Sequence, residues 1–202
     1  MAAGRPGSKV LLVVVEACSL SFRADRLQKA DIIATVLFGD GAAAACISTN
    51  QPLAGKIVKL SQGHQKMWPE TLDIMGWDVD ETGFGVVFDR SIPGFITEEF
   101  AAATDGALKA ANLNHEQIDR YVCHPGGAKV VTAIETALHL EQGALEAERA
   151  TLRNSGNMSA PTVMFVMKAV VDAGTSGQMM ACALGPGFTA SFLPFHIGAK
   201  AA

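Results

Sequence analysis

The stretch Tyr121-Val122-Cys123-His124-Pro125-Gly126-Gly127-Ala128-Lys129-Val130 decides how this chain is interpreted. It ends a β-rich run (residues 118–123) and leads into an amphipathic helical pattern that carries Val131, Ile134 and Leu138. The proline fixes the turn, and the two glycines allow another molecule to approach the backbone closely. A histidine between a strand and a helix start lies where backbone N–H groups face a ligand. The stretch predicts a site at His124, with a purely structural histidine as the alternative.

The composition is that of a well-buried α/β protein. The 202 residues are 49% hydrophobic and only 18% charged, with 20 glycines, which argues against disorder and fits one domain or two small ones. The net charge is −4, and no basic cluster exceeds two or three residues. Nucleic acid is therefore not an expected partner, whereas a phosphate-bearing ligand needs only local donors.

The cysteines and histidines do not form a metal site or a disulfide framework. The four cysteines are scattered, without a CxxC pair: Cys18, Cys46, Cys123 and Cys182. They indicate reduced, buried thiols in a cytoplasmic protein, and the five histidines lack ligand spacing. The apolar run at residues 10–15 is too short for a signal core or a membrane span. We expect no metal, no cofactor and no membrane association.

The first fifty residues predict three strands. Residues 10–16 form a β-branched run, residues 32–38 a second apolar run, and residues 42–48 a run of very small residues. Gly39-Asp40-Gly41 separates the last two runs, which is a hairpin signal. Residues 50–55 are rich in turn formers and are the predicted boundary between a unit at 1–50 and a unit at 51–202.

Beyond residue 55 the chain alternates between strand and helix patterns. Residues 72–79 and 84–88 predict a hairpin with one apolar face, whose Trp77 and Phe84 we interpret as core residues. The further predicted helices cover residues 96–113, 144–153 and 162–171, and the further strands cover residues 179–184 and 188–195. This order predicts an α/β layered architecture rather than a purely parallel sheet.

Asn157 is the second candidate functional residue. It lies in Gly156-Asn157-Met158-Ser159, just before an apolar helix, where its amide could simply cap that helix. An amide N–H and a histidine N–H together can instead form an oxyanion hole over a thioester carbonyl. Gly185-Pro186-Gly187 is compatible with a plain turn.

Five motifs, taken together, resemble the chalcone and stilbene synthases, the type III polyketide synthases with a thiolase-like fold. They are Phe38-Gly39-Asp40-Gly41, the Met75-Gly76-Trp77 hairpin, His124-Pro125-Gly126-Gly127, Gly156-Asn157-Met158-Ser159 and Gly185-Pro186-Gly187-Phe188. The hairpin and the run Arg90-Ser91-Ile92-Pro93 are similar to bacterial members. The resemblance implies an acyltransferase that condenses an acyl-CoA starter with malonyl-CoA, with no cofactor beyond these substrates.

The same resemblance assigns roles to individual residues. It implies that His124 and Asn157 polarise the malonyl thioester and stabilise the enolate. The other implied positions are the gate phenylalanines Phe38 and Phe88, the cavity-lining Ser21 and Ser159, and Gly126 and Lys129 along the pantetheine arm. Lys129 also fits a solvated helix surface.

The chain departs from the family in one respect. The family's nucleophilic cysteine belongs to a segment upstream of this sequence, and none of the four cysteines carries its motif. We expect the last strands of a first thiolase-like half (residues 9–49) and a complete second half. Such a chain would be inactive alone and would form a homodimer or pair with an N-terminal half. The alternatives are a ketoacyl-carrier-protein synthase III-like enzyme and a non-catalytic fragment or pairing subunit.

Overall fold

The computed structural model describes residues 1–25, 28–50 and 56–200, and within those ranges the strands form three sheets. The strands are β1 (Lys9–Glu16), β2 (Gly41–Ser48), β3 (Lys56–Leu60), β4 (His64–Met67), β5 (Met75–Asp80), β6 (Gly83–Phe88), β7 (Arg120–Cys123), β8 (Gly177–Gly185) and β9 (Thr189–Lys200). The helices are α1 (Lys29–Leu37), α2 (Ile92–Ala110), α3 (Ala128–Ala137), α4 (Glu146–Ser155) and α5 (Ala160–Asp172). Short 3-10 turns cover Cys18–Ser21 and His115–Gln117.

The largest sheet has the order β3-β9-β8-β7, with β4 also paired to β9. Strands β7 and β8 are parallel, because α3, α4 and α5 connect them as a crossover, and the other pairs are antiparallel. Alternating residues of β8 face opposite sides: Met180 packs in the core with α2 and α3, whereas Met179 packs with Val166 of α5. The result is the α/β layered fold that the sequence predicts.

Strands β1 and β2 form a separate antiparallel sheet, in continuous register from Lys9↔Ser48 to Glu16↔Gly41. One face of this sheet packs against α5. Alternate apolar residues of β1 form the opposite face of the sheet, with Leu11 and Val13 at its centre. Their side chains are 67% and 56% exposed, so this outer face is uncovered.

The predicted strand at residues 32–38 and its hairpin are wrong, because this segment is helix α1. Gln28 and Asp31 form a capping box that starts the helix, which outweighs the β propensity of the isoleucines. Strand β2 pairs with β1 instead. The two glycines of the motif permit close approach: a β-carbon at Gly41 would lie 2.6 Å from Met158 Sδ. Asp40 accepts hydrogen bonds from the backbone N–H and the hydroxyl of Ser19, both at 2.7 Å.

The second predicted hairpin is present as β5 and β6, with Trp77 opposite Val86 and Val79 opposite Phe84. The interpretation of Trp77 and Phe84 as core residues is wrong, because they are 51% and 49% exposed. Their rings contact each other edge to face, with centroids 6.0 Å apart, at the outer end of the hairpin. Most of the predicted boundary at residues 50–55 lies outside the described residues.

Candidate active site

A cavity of about 500 Å³ lies where the three sheets meet. It is bordered by the end of β7, by the segment between α4 and α5, by Phe38 after α1 and by the β5–β6 hairpin. Six of the eight predicted site residues line it: His124, Asn157, Phe38, Phe88, Gly126 and Ser159. Residues that are distant in the sequence therefore share one cavity.

Backbone hydrogen bonds hold His124 in place, and the residue lines this cavity. The His124 N–H donates to Cys182 O of β8 at 2.7 Å, and its carbonyl accepts from Gly126 N at 3.1 Å. Within the described residues the imidazole makes no hydrogen bond, so no backbone carbonyl holds the ring in place. Burial lowers the pKa of His124 to about 4. The ring is therefore neutral at pH 7 and carries one N–H donor and one acceptor nitrogen.

Asn157 follows α4, whose C-cap is Gly156 with φ 70°. Its side-chain Nδ2 donates to Gly126 O at 3.2 Å, and its Oδ1 accepts from Ser159 N at 2.9 Å. The N-cap of α5 is Ser159, so the interpretation of Asn157 as a plain cap is wrong. An amide nitrogen carries two protons, so Asn157 Nδ2 has a second donor beyond the one given to Gly126 O.

Phe38 is held beside Asn157 by backbone hydrogen bonds. Asn157 N donates to Leu37 O at 2.8 Å, and Gly39 N donates to Asn157 O at 3.0 Å, which makes a parallel bridge. The Phe38 ring meets the Phe88 ring edge to face, with centroids 6.5 Å apart and an interplanar angle of 80°. Two aromatic rings from different elements thus form one wall of the cavity.

Two predicted site residues lie outside this cavity. The Ser21 hydroxyl donates to Cys18 O at 2.7 Å, and it is Cys18 of the same 3-10 turn that lines the cavity. Lys129 borders a separate shallow groove beside Thr97 and Thr132. Ser21 donates its hydroxyl back to its own 3-10 turn after β1, and Lys129 lies at the start of α3 on the side that borders this groove.

Polar residues that the sequence did not indicate complete the cavity. Gln65 of β4 donates through Nε2 to Ser191 Oγ of β9 at 3.2 Å, and both residues line the cavity. Outside the cavity lining, Arg23 connects the turn after β1 to Asp80 of the β5–β6 hairpin and also donates to Asp25 two residues along the chain. The Thr82 hydroxyl and N–H, together with Arg23, lower the pKa of Asp80 to about 2. No local motif marks the Gln65–Ser191 pair or the Arg23–Asp80 pair, because the two partners are distant in the sequence.

The cysteines are free thiols in different surroundings. Burial and the charges of Glu16 and Asp40 raise the pKa of Cys18. The Cys182 thiol, which lies opposite Cys123 on the parallel strand, and burial raise the pKa of Cys123. Neither thiol is therefore an activated thiolate at neutral pH. The expectation that all four are buried is wrong for two of them, because Cys46 is exposed on β2 and Cys18 is only partly buried.

Two observations concern other ligands and membranes. Across residues 1–25, 28–50 and 56–200, no group of three His, Cys, Asp or Glu side chains is arranged to hold a metal ion. Among the helices of that same part of the chain, none has the length and apolarity that a membrane crossing requires.

Comparison with solved structures identifies the fold class. The chain superposes on 1,3,6,8-tetrahydroxynaphthalene synthase from Streptomyces coelicolor A3(2), a bacterial type III polyketide synthase, with a TM-score of 0.89 and 26% identity. The match covers 98% of this chain and 57% of that one. The C-terminal type III polyketide synthase domain of Steely1 from Dictyostelium gives a TM-score of 0.87 at 25% identity, covering 96% and 55%. The fold is therefore the thiolase-like fold of condensing enzymes.

Sequence comparison identifies the family. Residues 59–196 match the family model of the chalcone and stilbene synthases, C-terminal domain. The chain is 35% identical to the 1,3,6,8-tetrahydroxynaphthalene synthase of Streptomyces peucetius subsp. caesius, covering 94% of this chain and 52% of that protein. It is 32% identical to a putative chalcone synthase of Bacillus subtilis, covering 94% and 54%. The chain belongs to the chalcone and stilbene synthase family, and it spans about half the length of these relatives.

Proposed function

We propose that this chain provides the histidine–asparagine part of a type III polyketide synthase active site, which condenses an acyl-CoA starter with malonyl-CoA. The observation that carries the proposal is the shared cavity of His124 and Asn157, closed on one side by Phe38 and Phe88. A neutral imidazole N–H and an amide N–H directed into a mostly apolar cavity are suited to stabilise a thioester oxyanion. Family membership supports the same chemistry.

In the proposed reaction these two donors bind the thioester carbonyl oxygen of malonyl-CoA. The bond between the carboxylate and the α-carbon breaks, CO₂ leaves, and the electron pair becomes the enolate. The enolate carbon then attacks the acyl thioester of the starter, which forms a carbon–carbon bond and releases the thiolate. His124 stays neutral throughout, since burial holds its pKa far below 7, and it therefore acts as a hydrogen-bond donor.

The cysteine that holds the starter is, in this proposal, supplied by the region that corresponds to the N-terminal half of the relatives. Cys18 is the cysteine that borders the cavity in the described part of the chain, and its raised pKa makes it a poor nucleophile. The outer face of the β1–β2 sheet offers that region an apolar surface. The chain alone would then lack turnover.

The test uses this chain and the part of the Streptomyces peucetius relative that it does not match, expressed separately. We expect release of CO₂ from malonyl-CoA and formation of a polyketide only when the two are mixed with an acyl-CoA starter. His124→Gln and Asn157→Asp should each abolish product, whereas His64→Gln, an exposed substitution on β4, should not. Turnover by the chain alone would show that the nucleophile lies within it. Absence of turnover in every mixture, with no CoA binding, would favour the non-catalytic alternative.

A further inference from the structure

We propose that Glu148 is a positioning residue that fixes the strand end carrying His124 against the helix that leads to Asn157. The inference rests on the proposed function, because it concerns the same pair of donors. Glu148 lies on α4, and its carboxylate is completely buried, with 0% exposure. Its Oε1 accepts a hydrogen bond from Cys123 N at 3.0 Å, and its Oε2 accepts one from Arg120 Nη2 at 3.1 Å.

These two contacts hold both ends of the short strand β7. Arg120 is its first residue and Cys123 its last, and β7 is the terminal strand of its sheet. A strand at the end of a sheet has unpaired N–H groups on its open side. The Glu148 carboxylate satisfies the one at Cys123, immediately before His124.

Successive peptide groups are thereby held from opposite sides. Cys123 N donates to Glu148, and the next N–H, that of His124, donates to Cys182 O of β8 at 2.7 Å. The backbone at His124 has hydrogen-bonded partners on both sides, which fixes the direction of its side chain. Without the carboxylate, only the β8 side would hold this strand end.

The same helix determines where Asn157 lies. α4 continues from Glu148 to its last residue, Ser155, and Gly156 N donates to Leu152 O at 2.9 Å before Asn157 follows. A second connection, from Asn157 Nδ2 to Gly126 O, joins the far end of this segment to the residue two positions after His124. Glu148 thus joins α4 to β7, and Asn157 joins the extension of α4 to the turn that follows β7.

The charge of Glu148 is balanced locally. Burial raises the pKa of this carboxyl, whereas the Cys123 N–H and the Arg120 guanidinium lower it. Arg120 Nε is itself buried without a hydrogen-bond partner among the described residues, so the guanidinium depends on Glu148 for its pairing. Removing the carboxylate would leave a partly buried cation and a buried N–H unsatisfied.

The experiment compares Glu148→Gln, Glu148→Ala and the control Glu146→Gln, an exposed position two residues earlier on the same helix. The first readout is the NMR titration of the His124 ring in this chain, which needs no turnover. Glutamine retains an acceptor for Cys123 N, so we expect Glu148→Gln to keep the His124 resonances and titration. Glu148→Ala should shift and broaden them and raise the apparent pKa of the ring, and Glu146→Gln should change nothing.

The second readout is decarboxylation of malonyl-CoA by the mixture of halves. Misplacing a donor by about 1 Å costs up to roughly 100-fold, so Glu148→Ala should lower kcat by about 10-fold to 100-fold. KM should stay within about twofold, because the interaction lost is one made in the transition state. A shifted His124 resonance without turnover by the wild-type mixture would refute the proposed function and leave the positioning role intact.

A lower unfolding midpoint with unchanged His124 resonances would overturn the inference and leave Glu148 a purely structural residue. Should Glu148→Ala fail to fold, Glu148→Asp provides the same test, since it keeps the charge and withdraws the carboxylate by about 1.5 Å. The shorter aspartate side chain should not reach both Cys123 N and Arg120 Nη2, so the His124 resonances should shift. Unchanged resonances in Glu148→Asp would also contradict the inference.

Discussion

Gly39 and Ser155 approach each other so closely that a β-carbon at Gly39 would lie 2.6 Å from the carbonyl oxygen of Ser155. The contact joins the segment of Phe38 to the end of α4, beside the backbone bridge between Phe38 and Asn157. Both groups belong to the backbone, so neither can move aside independently. The glycine therefore allows an aromatic wall residue and a proposed oxyanion donor to be neighbours.

Gly39→Ala is predicted to destabilise the fold by about 1–3 kcal/mol, the usual cost of overpacking a close contact. Urea unfolding monitored by circular dichroism measures this change. The control is Gly106→Ala, at an exposed position of α2 where a β-carbon would meet nothing within 4 Å. That substitution should stabilise the helix by about 0.5–1 kcal/mol. Equal stability of the two variants would contradict the close contact.

The burial of neutral His124 predicts a specific acid sensitivity. The folded pKa is about 4 and the ordinary value is 6.5, so the unfolded chain binds the proton first as the pH falls. Stability attributable to this group is complete above pH 6.5 and is lost between there and about pH 4, amounting to about 3 kcal/mol.

Unfolding free energies at about pH 7 and pH 4.5 measure this effect. His124→Gln should lose less stability over this interval than the wild type, by up to about that amount. His64→Gln, on the exposed strand β4, should keep the wild-type dependence. Identical pH dependence in the wild type and His124→Gln would show that the ring is solvated in the folded state.

The sequence predicts an element correctly where neighbouring residues determine its structure, and it fails where residues outside the element determine it. The strand–turn–helix at His124 is local, so its pattern is sufficient to place it. The run at residues 32–38 was misassigned because Gln28 and Asp31 cap the helix from outside the run. Its β-branched residues fit a strand equally well. The glycines at 39 and 41 suggested a hairpin, but they are required by Ser155 and Met158, more than 100 residues away.

The candidate site also contains residues that local motifs indicate and residues that only the folded structure brings together. His124, Asn157, Phe38 and Phe88 lie in recognisable motifs, and the structure brings them to one cavity. Gln65, Ser191 and Glu148 carry no motif, because their contacts depend on strand pairing and helix packing. Trp77 and Phe84 lie on the apolar face that the alternation indicates. Alternation identifies a face but not whether another element covers it.

We predict that the outer face of the β1–β2 sheet is the surface that binds the N-terminal half. Its β1 residues Leu11, Val13 and Val15 are 67%, 56% and 69% exposed. Val13→Asp should weaken association with that half by tenfold or more, because an unpaired carboxylate would be buried on binding. Because Val13 is exposed in this chain, the substitution should hardly change the unfolding midpoint of the chain itself.

Isothermal titration calorimetry of the two halves measures this affinity. Leu72→Asp is the control, since Leu72 is an exposed apolar residue outside the β1–β2 sheet. It should bind like the wild type. If Val13→Asp binds with wild-type affinity, another surface of the chain receives the N-terminal half.

Glu135 predicts a difference in stability between a buried and an exposed ion pair. Its buried carboxylate pairs with Arg149 and accepts the N–H groups of Gly143 and Leu145, each at 3.1 Å, which fixes the start of α4. Glu135→Ala leaves these donors unsatisfied and should cost about 2–4 kcal/mol in urea unfolding. Arg153→Ala, which removes only the exposed pair with Glu146, should cost less than about 1 kcal/mol. Similar losses in both variants would mean that water reaches the Glu135 carboxylate and replaces its partners.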